Sequence, residues 1–266
     1  MTAPALIAVN GQAESSDVIL RDGNPPTRSS DRQTMKTLNL ALAIFISFAA
    51  GCTTDVANET SPAADGVMVA ARIARDFEVD ANLSKAVWRK APPVTVDRGS
   101  RDAIPHPALA TTVRAIWSDE FLYLAYDCPF TELAVFDPVQ TKERFGLWER
   151  DVVEAFIGSD PSNIRRYTEY EVSPTNERLD VKIPEKDFAW SSRFESATRV
   201  DRERHRWVAE LRIPLGALSD TKPRRGTRWR INLYRCDYAN KAFLAFRPTL
   251  TGTFHTPERF GALEFR

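Results

Sequence analysis

Strict alternation of apolar and polar side chains commits a short segment to a half-buried β-strand, and this chain repeats that pattern along most of its length. Residues 206–213 put Trp207, Ala209, Leu211 and Ile213 on one face and the charges on the other. Residues 111–117 and 121–126 flank Ser118-Asp119-Glu120, the signature of a hairpin with a tight turn. The second of these is apolar almost throughout and is expected to lie centrally. Residues 73–80, 94–96, 167–172, 178–183, 194–200, 228–235, 242–246 and 260–265 read as further short strands. Residues 84–90 and 214–218 are the only helical pieces, and 98–107 and 131–147 are the long connections. About ten strands with turn signals between them predict an all-β fold, an antiparallel, jelly-roll-like β-sandwich with short helical turns, over residues 67–266. The 36 acidic and 36 basic residues form no long run of one sign, which argues against a nucleic-acid groove or a polybasic membrane patch.

The front of the chain has a different character. Residues 1–34 are polar, lack an apolar period and read as disordered. Met35-Lys36-Thr37, the apolar run 38–48 and Ala49-Ala50-Gly51-Cys52 have the shape of a secretory signal, too short to span a bilayer, which takes ~20 residues. The small residues ending in Gly51-Cys52 resemble a bacterial lipobox. That resemblance implies a signal peptide over 35–52, lipidation of Cys52, and Met35 as the true start with 1–34 upstream of it. Thr53 and Thr54, with no Asp directly after the cysteine, then favour the outer membrane. Residues 53–66 are rich in Thr, Ser, Ala, Pro and Asp and read as a flexible tether. The expected location is the cell envelope, on a lipid anchor, at the periplasmic or the surface face.

Within the folded part, Trp148-Glu149-Arg150-Asp151-Val152-Val153-Glu154-Ala155-Phe156-Ile157 holds the strongest candidate site. Val153, Ala155 and Ile157 make a core face. Val152, Glu154 and Phe156 share the other, so a carboxylate sits between apolar neighbours, an arrangement that is costly unless the carboxylate finds a partner. Trp148 lies just before the strand, where a loop can present its ring beside Glu154. A flat ring next to a fixed acceptor suits a sugar, which offers a C–H face to stack and hydroxyls to orient. Other readings remain open: a Trp that plugs the end of the sandwich, and a Glu bonded to a nearby Arg.

These blocks, together with residues 117–126, 170–174, 207–214, 229–235 and His255-Thr256-Pro257-Glu258-Arg259-Phe260-Gly261, resemble carbohydrate-binding module family 9 in their order along most of 72–266. The resemblance implies a β-sandwich that clamps a glucose or xylose unit between two tryptophans, often at the reducing end of a plant polysaccharide fragment. Trp148 matches the first aromatic and Glu154 a hydroxyl-binding carboxylate. The segment where the second aromatic is expected carries Phe246. Trp190, in a polar loop, is the next candidate platform, and Arg235 is a candidate for hydroxyl recognition or for a structural ion pair with Asp237. The family is often linked to glycoside hydrolases, which are the implied partners. Structural calcium is known in it, although no Asp-rich calcium loop is legible here.

Alternatives from other classes stay in view. Glu154, Glu169 and Glu171 could supply the two carboxylates of a glycoside hydrolase. An envelope interaction module could keep the fold without the sugar. Haem binding is disfavoured, because Met1, Met35 and Met68 lie ahead of or at the very start of the expected sandwich and no Cys-x-x-Cys-His occurs. His106, His205 and His255 are dispersed, and His255 is assigned to the closing turn. Cys128 and Cys236 each end a strand, so a disulfide between them is left open.

Overall fold

A computed structural model describes residues 66–266. The expected leader, Cys52 and nearly all of the tether lie outside the described residues.

The fold is nearly all β. Thirteen strands join one mixed sheet. In chain order they are β1 (Val67–Arg72), β2 (Val94–Val96), β3 (Arg98–Gly99), β4 (Thr111–Trp117), β5 (Phe121–Pro129), β6 (Val152–Gly158), β7 (Tyr167–Val172), β8 (Arg178–Ile183), β9 (Glu195–Asp201), β10 (Arg206–Pro214), β11 (Arg228–Asp237), β12 (Ala242–Ala245) and β13 (Gly261–Phe265). One four-residue helix, α1 (Leu215–Leu218), follows β10. The main path runs β8-β7-β6-β11-β13-β1-β4-β5-β10-β9, with β12 beside β11 and β2 beside β4.

The expectation of a wholly antiparallel sandwich is corrected at β1. This strand pairs parallel with β13 on one side and with β4 on the other, at the turning point of the sheet. From there the sheet curls into a nearly closed barrel. Inward-facing residues of its two halves, among them Val153, Ala155, Tyr170 and Leu233 against Leu124, Tyr126, Ala209 and Leu211, share one core. Tyr126 crosses this core to donate a hydrogen bond to the Glu154 carbonyl, 3.1 Å away. Trp117, Trp207 and Trp229 are buried in the same core.

Residues 73–80, expected as a strand, lie in irregular conformation across the outer face of β4, β5 and β10. The backbone N–H groups of Asp80 and Ala81 find the Glu210 carboxylate, each at 2.9 Å, rather than a neighbouring strand. Phe77 stacks on Tyr123 at 4.5 Å. This cover also explains why Glu210, on the charged face of β10, is fully buried. Its oxygens accept from Lys85 Nζ and Trp88 Nε1, all at 2.8 Å, so every oxygen has a charge-assisted partner.

Candidate functional site

The outer face of β6, β7, β8, β11 and β12 has no second layer of sheet on it. Loops from 131–150, 184–194 and 250–256 rise around it and leave a cleft of about 480 Å³. The loop before β6 is fixed from below. Asp151 accepts from the backbone N–H of Ala134 at 3.0 Å and of Tyr238 at 2.8 Å. Glu177 accepts from Arg144 Nε at 2.7 Å and from the Gln140 N–H at 2.8 Å. Gly146 takes φ +81°, a left-handed conformation that suits glycine, and starts the 3-10 turn Leu147–Glu149. Leu147 then drops into an apolar cluster with Val152, Leu179, Val181 and Cys236. With its neighbour anchored, Trp148 is held half-buried at the cleft wall, and its carbonyl accepts from the Tyr238 hydroxyl at 2.9 Å.

Aromatic rings build the rest of the wall. Phe145, 67 % exposed, meets Trp148 edge-on at 5.1 Å and Phe188 edge-on at 4.8 Å. Phe243, Tyr238 and Phe254 also line the cleft, with Phe254 stacked on Tyr234 at 4.1 Å. The floor holds Phe156 and the carboxyls of Glu154 and Glu169. Strand register explains the cluster of acids: Glu154 lies opposite Glu171, and Phe156 opposite Glu169. Such pairs stand about 5 Å apart at Cβ.

Burial dominates the electrostatics of this floor. It pushes the Glu169 carboxyl up to about 7, and drives Glu154 and Glu171 well above the ordinary carboxylate range, with mutual repulsion adding to the rise of those two. The Cys236 thiol lies 3.4 Å from Glu154 Oε1 and donates to it. His255 shares a hydrogen bond at 2.8 Å with the Tyr167 hydroxyl through Nδ1 and turns Nε2 toward Glu169 at 3.9 Å. Burial, and then Lys186, hold its imidazole below its ordinary value, so it faces Glu169 as a neutral ring at pH 7.

A pH dependence follows. A carboxyl raised in the folded state binds protons that the unfolded chain has released, so stability falls as pH rises. For Glu169 the loss runs from the ordinary glutamate range to just above 7, and amounts to ~3 kcal/mol at most. Asp80, Asp160, Asp201 and Glu264, held below their ordinary values, act only in the more acidic range. Urea unfolding at pH 5.5 and pH 8 is expected to show higher stability at the lower pH, with a smaller difference in Glu169→Gln. An equal difference in the variant would rule this carboxyl out as the source.

Of the five sugar-binding residues expected from sequence, Trp148 and Glu154 come together at this cleft. The other three line no part of it. Phe246 packs on the main core. Arg235 is 1 % exposed, ion-paired with Asp237 at 2.7 Å and bonded to Leu109 and Thr111. Trp190 carries the Lys182 ammonium over its ring at 4.5 Å. His255, Glu169, Phe145, Phe188, Phe243 and Phe254 join the cleft without having been singled out as sugar ligands. Cys128 and Cys236 are free thiols, Cys128 in the core and Cys236 on the cleft side. Among the described residues no group of three or more His, Cys, Asp or Glu is arranged to hold a metal ion, so they offer calcium no such set.

Comparison with known proteins fits this geometry. A chain from Bacteroides uniformis superposes with a TM-score of 0.62 at 15% identity, covering 75% of this chain and 99% of that one. A carbohydrate binding module family 9 from Caldicellulosiruptor kristjanssonii, in complex with cellotriose, superposes with a TM-score of 0.57 at 16% identity, covering 75% and 93%. An extracellular protein of Arthroderma benhamiae is 25% identical over 181 residues, which is 62% of this chain and 78% of that protein. The pattern of the carbohydrate family 9 binding domain-like family matches residues 79–266, and the chain belongs to that family.

Proposed function

We propose that this chain is a non-catalytic carbohydrate-binding protein whose cleft takes the end of a glucan- or xylan-type oligosaccharide. The observation that carries this reading is that the Trp148 ring and the buried Glu154 carboxyl line one cleft. The volume of about 480 Å³ is that of a small-ligand site. Sugar complexes of a structural neighbour, with cellotriose and with glucose, support the same class of ligand. The expected lipid anchor at Cys52 would hold the module at the cell envelope, where glycoside hydrolases release such ends for catabolism.

Hydrolysis by the chain itself is the weaker reading. A glycosidase pushes its two carboxyls apart, one protonated acid and one ionised partner. Here Glu154, Glu169 and Glu171 are all pushed upward by the same burial, and none is held ionised by a cation.

Calorimetric titration of the full chain with glucose, xylose, cellobiose and xylobiose tests the proposal. Saturable heat with at least one of them is expected. Absence of heat from all four, in a folded sample, contradicts a glucan- or xylan-end site.

A further inference from the structure

The cleft floor departs from the way this protein treats most of its other buried acids; Asp180, which bonds Ser192 through Oδ2 and leaves Oδ1 without a partner among the described residues, is the exception. Glu210 is paired with Lys85, Glu177 with Arg144 and Asp237 with Arg235. Asp151 accepts two backbone N–H groups. On the floor, Glu154 has only the Cys236 thiol, and Glu169 faces the neutral His255. Glu171 is fully buried on the same face, directly opposite Glu154. Among the described residues no N–H or hydroxyl donor reaches its oxygens, and its partner is the Glu169 carboxyl two residues along, with which it shares a hydrogen bond. Among the described residues, three acids thus sit together with no cation, although leaving a buried acid unpaired is costly. The basic groups that face the cleft, Arg101 and Lys186, are exposed at its rim.

A neutral sugar complements this floor only in part, because its hydroxyls satisfy the acceptors but bring no counter-charge. Among the described residues no group of three or more His, Cys, Asp or Glu is arranged to hold a metal ion here. The aromatic wall above the acids, Phe145, Trp148, Phe188 and Phe243, is also the kind of surface that attracts an organic cation. We infer that the sugar this cleft selects carries a protonated amine: a 2-amino-2-deoxy sugar without its acetyl group, whose ammonium reaches the Glu154 and Glu169 carboxyls, with Glu171 buried behind them, while its ring stacks on Trp148. This rests on the carbohydrate-binding reading above and narrows it to one substrate class.

The arrival of an ammonium would also draw protons off the floor. Burial pushes all three carboxyls up, Glu169 to about 7, and an ammonium beside them favours their charged form. Binding of an amino sugar therefore releases protons to the buffer, and binding of glucose does not.

The test is calorimetry of the full chain at pH 7 with glucosamine, N-acetylglucosamine, glucose and choline, each in two buffers of different ionisation enthalpy. Glucosamine is expected to bind at least tenfold more tightly than glucose and N-acetylglucosamine, with a heat that changes with the buffer. Glu169→Gln is expected to reduce the glucosamine-to-glucose affinity ratio at least fivefold. Glucose binding as tightly as glucosamine, or a ratio unmoved in Glu169→Gln, overturns this inference and leaves the carbohydrate reading standing. Choline binding without glucosamine binding overturns it in favour of a plain cation site. Absence of binding by all the sugars overturns both.

Discussion

Trp148→Ala is expected to weaken binding of whichever sugar the cleft takes by at least ~30-fold, the equivalent of losing ~2 kcal/mol at a binding hot spot. The effect should be large because the ring is pre-positioned. Leu147 is locked into the cluster under the loop, the Tyr238 hydroxyl holds the Trp148 carbonyl, and Phe145 buttresses the indole edge-on at 5.1 Å. The free protein has therefore already met the ordering cost of the platform. Truncation removes the stacking face and also leaves Phe145 without its support. The fold should survive, since Leu147 and the Asp151 and Glu177 hydrogen bonds remain. Calorimetry beside an unfolding curve separates the two effects: lost binding with an unchanged urea midpoint is the expected pair. Retained affinity would place the stacking surface elsewhere.

Glu210→Ala is expected to have the largest effect on stability, a loss of ~3–5 kcal/mol. The substitution strands the Lys85 ammonium, the Trp88 indole N–H and two backbone N–H groups. The segment 73–90 pairs with a strand only at Ile73, whose N–H donates to the Trp117 carbonyl, so this carboxylate and the packing of Phe77 and Trp88 beside Tyr123 carry much of its attachment. Urea unfolding reads the loss directly. A change below ~1 kcal/mol would mean that apolar contacts alone hold the segment. Because the cleft lies on the other half of the sheet, sugar affinity in the folded fraction should be unaffected.

Much of this was legible from residue parity. In β6 the alternation that sends Val153, Ala155 and Ile157 inward puts Val152, Glu154 and Phe156 on the cleft side, as the pattern predicts. The same argument, applied to β12, would have set Phe246 aside. Leu244 is in the core, so Phe246 two residues on returns to that side, while Phe243 faces out beside Cys236. In the loop after β8 the sequence draws attention to Trp190, yet Phe188 is the ring at the cleft. Loop side chains have no period to read. β1 was missed for another reason. Val-Met-Val-Ala-Ala-Arg does not alternate, and its strand character comes from parallel partners nearly 200 and about 45 residues away. The alternation puts Glu210 on the face away from the main core, and nothing local reveals the segment that covers it there. His255 reaches the cleft by a long-range contact with β7, which spacing alone does not disclose.

The most direct measurement is a two-dimensional amide spectrum of the full chain during titration with glucose and glucosamine. The chain has six tryptophans, whose indole N–H signals can be followed separately. The account predicts that the Trp148 indole and the amides of Glu154, Phe156 and Glu169 move together and saturate, while Trp117, Trp207 and Trp229 in the core stay in place. A second cleft of the same volume, about 480 Å³, is lined by Asp160, Arg166, Lys182 and Ser219. Saturating shifts confined to that cleft or to Trp190, with Trp148 unmoved, would contradict the account.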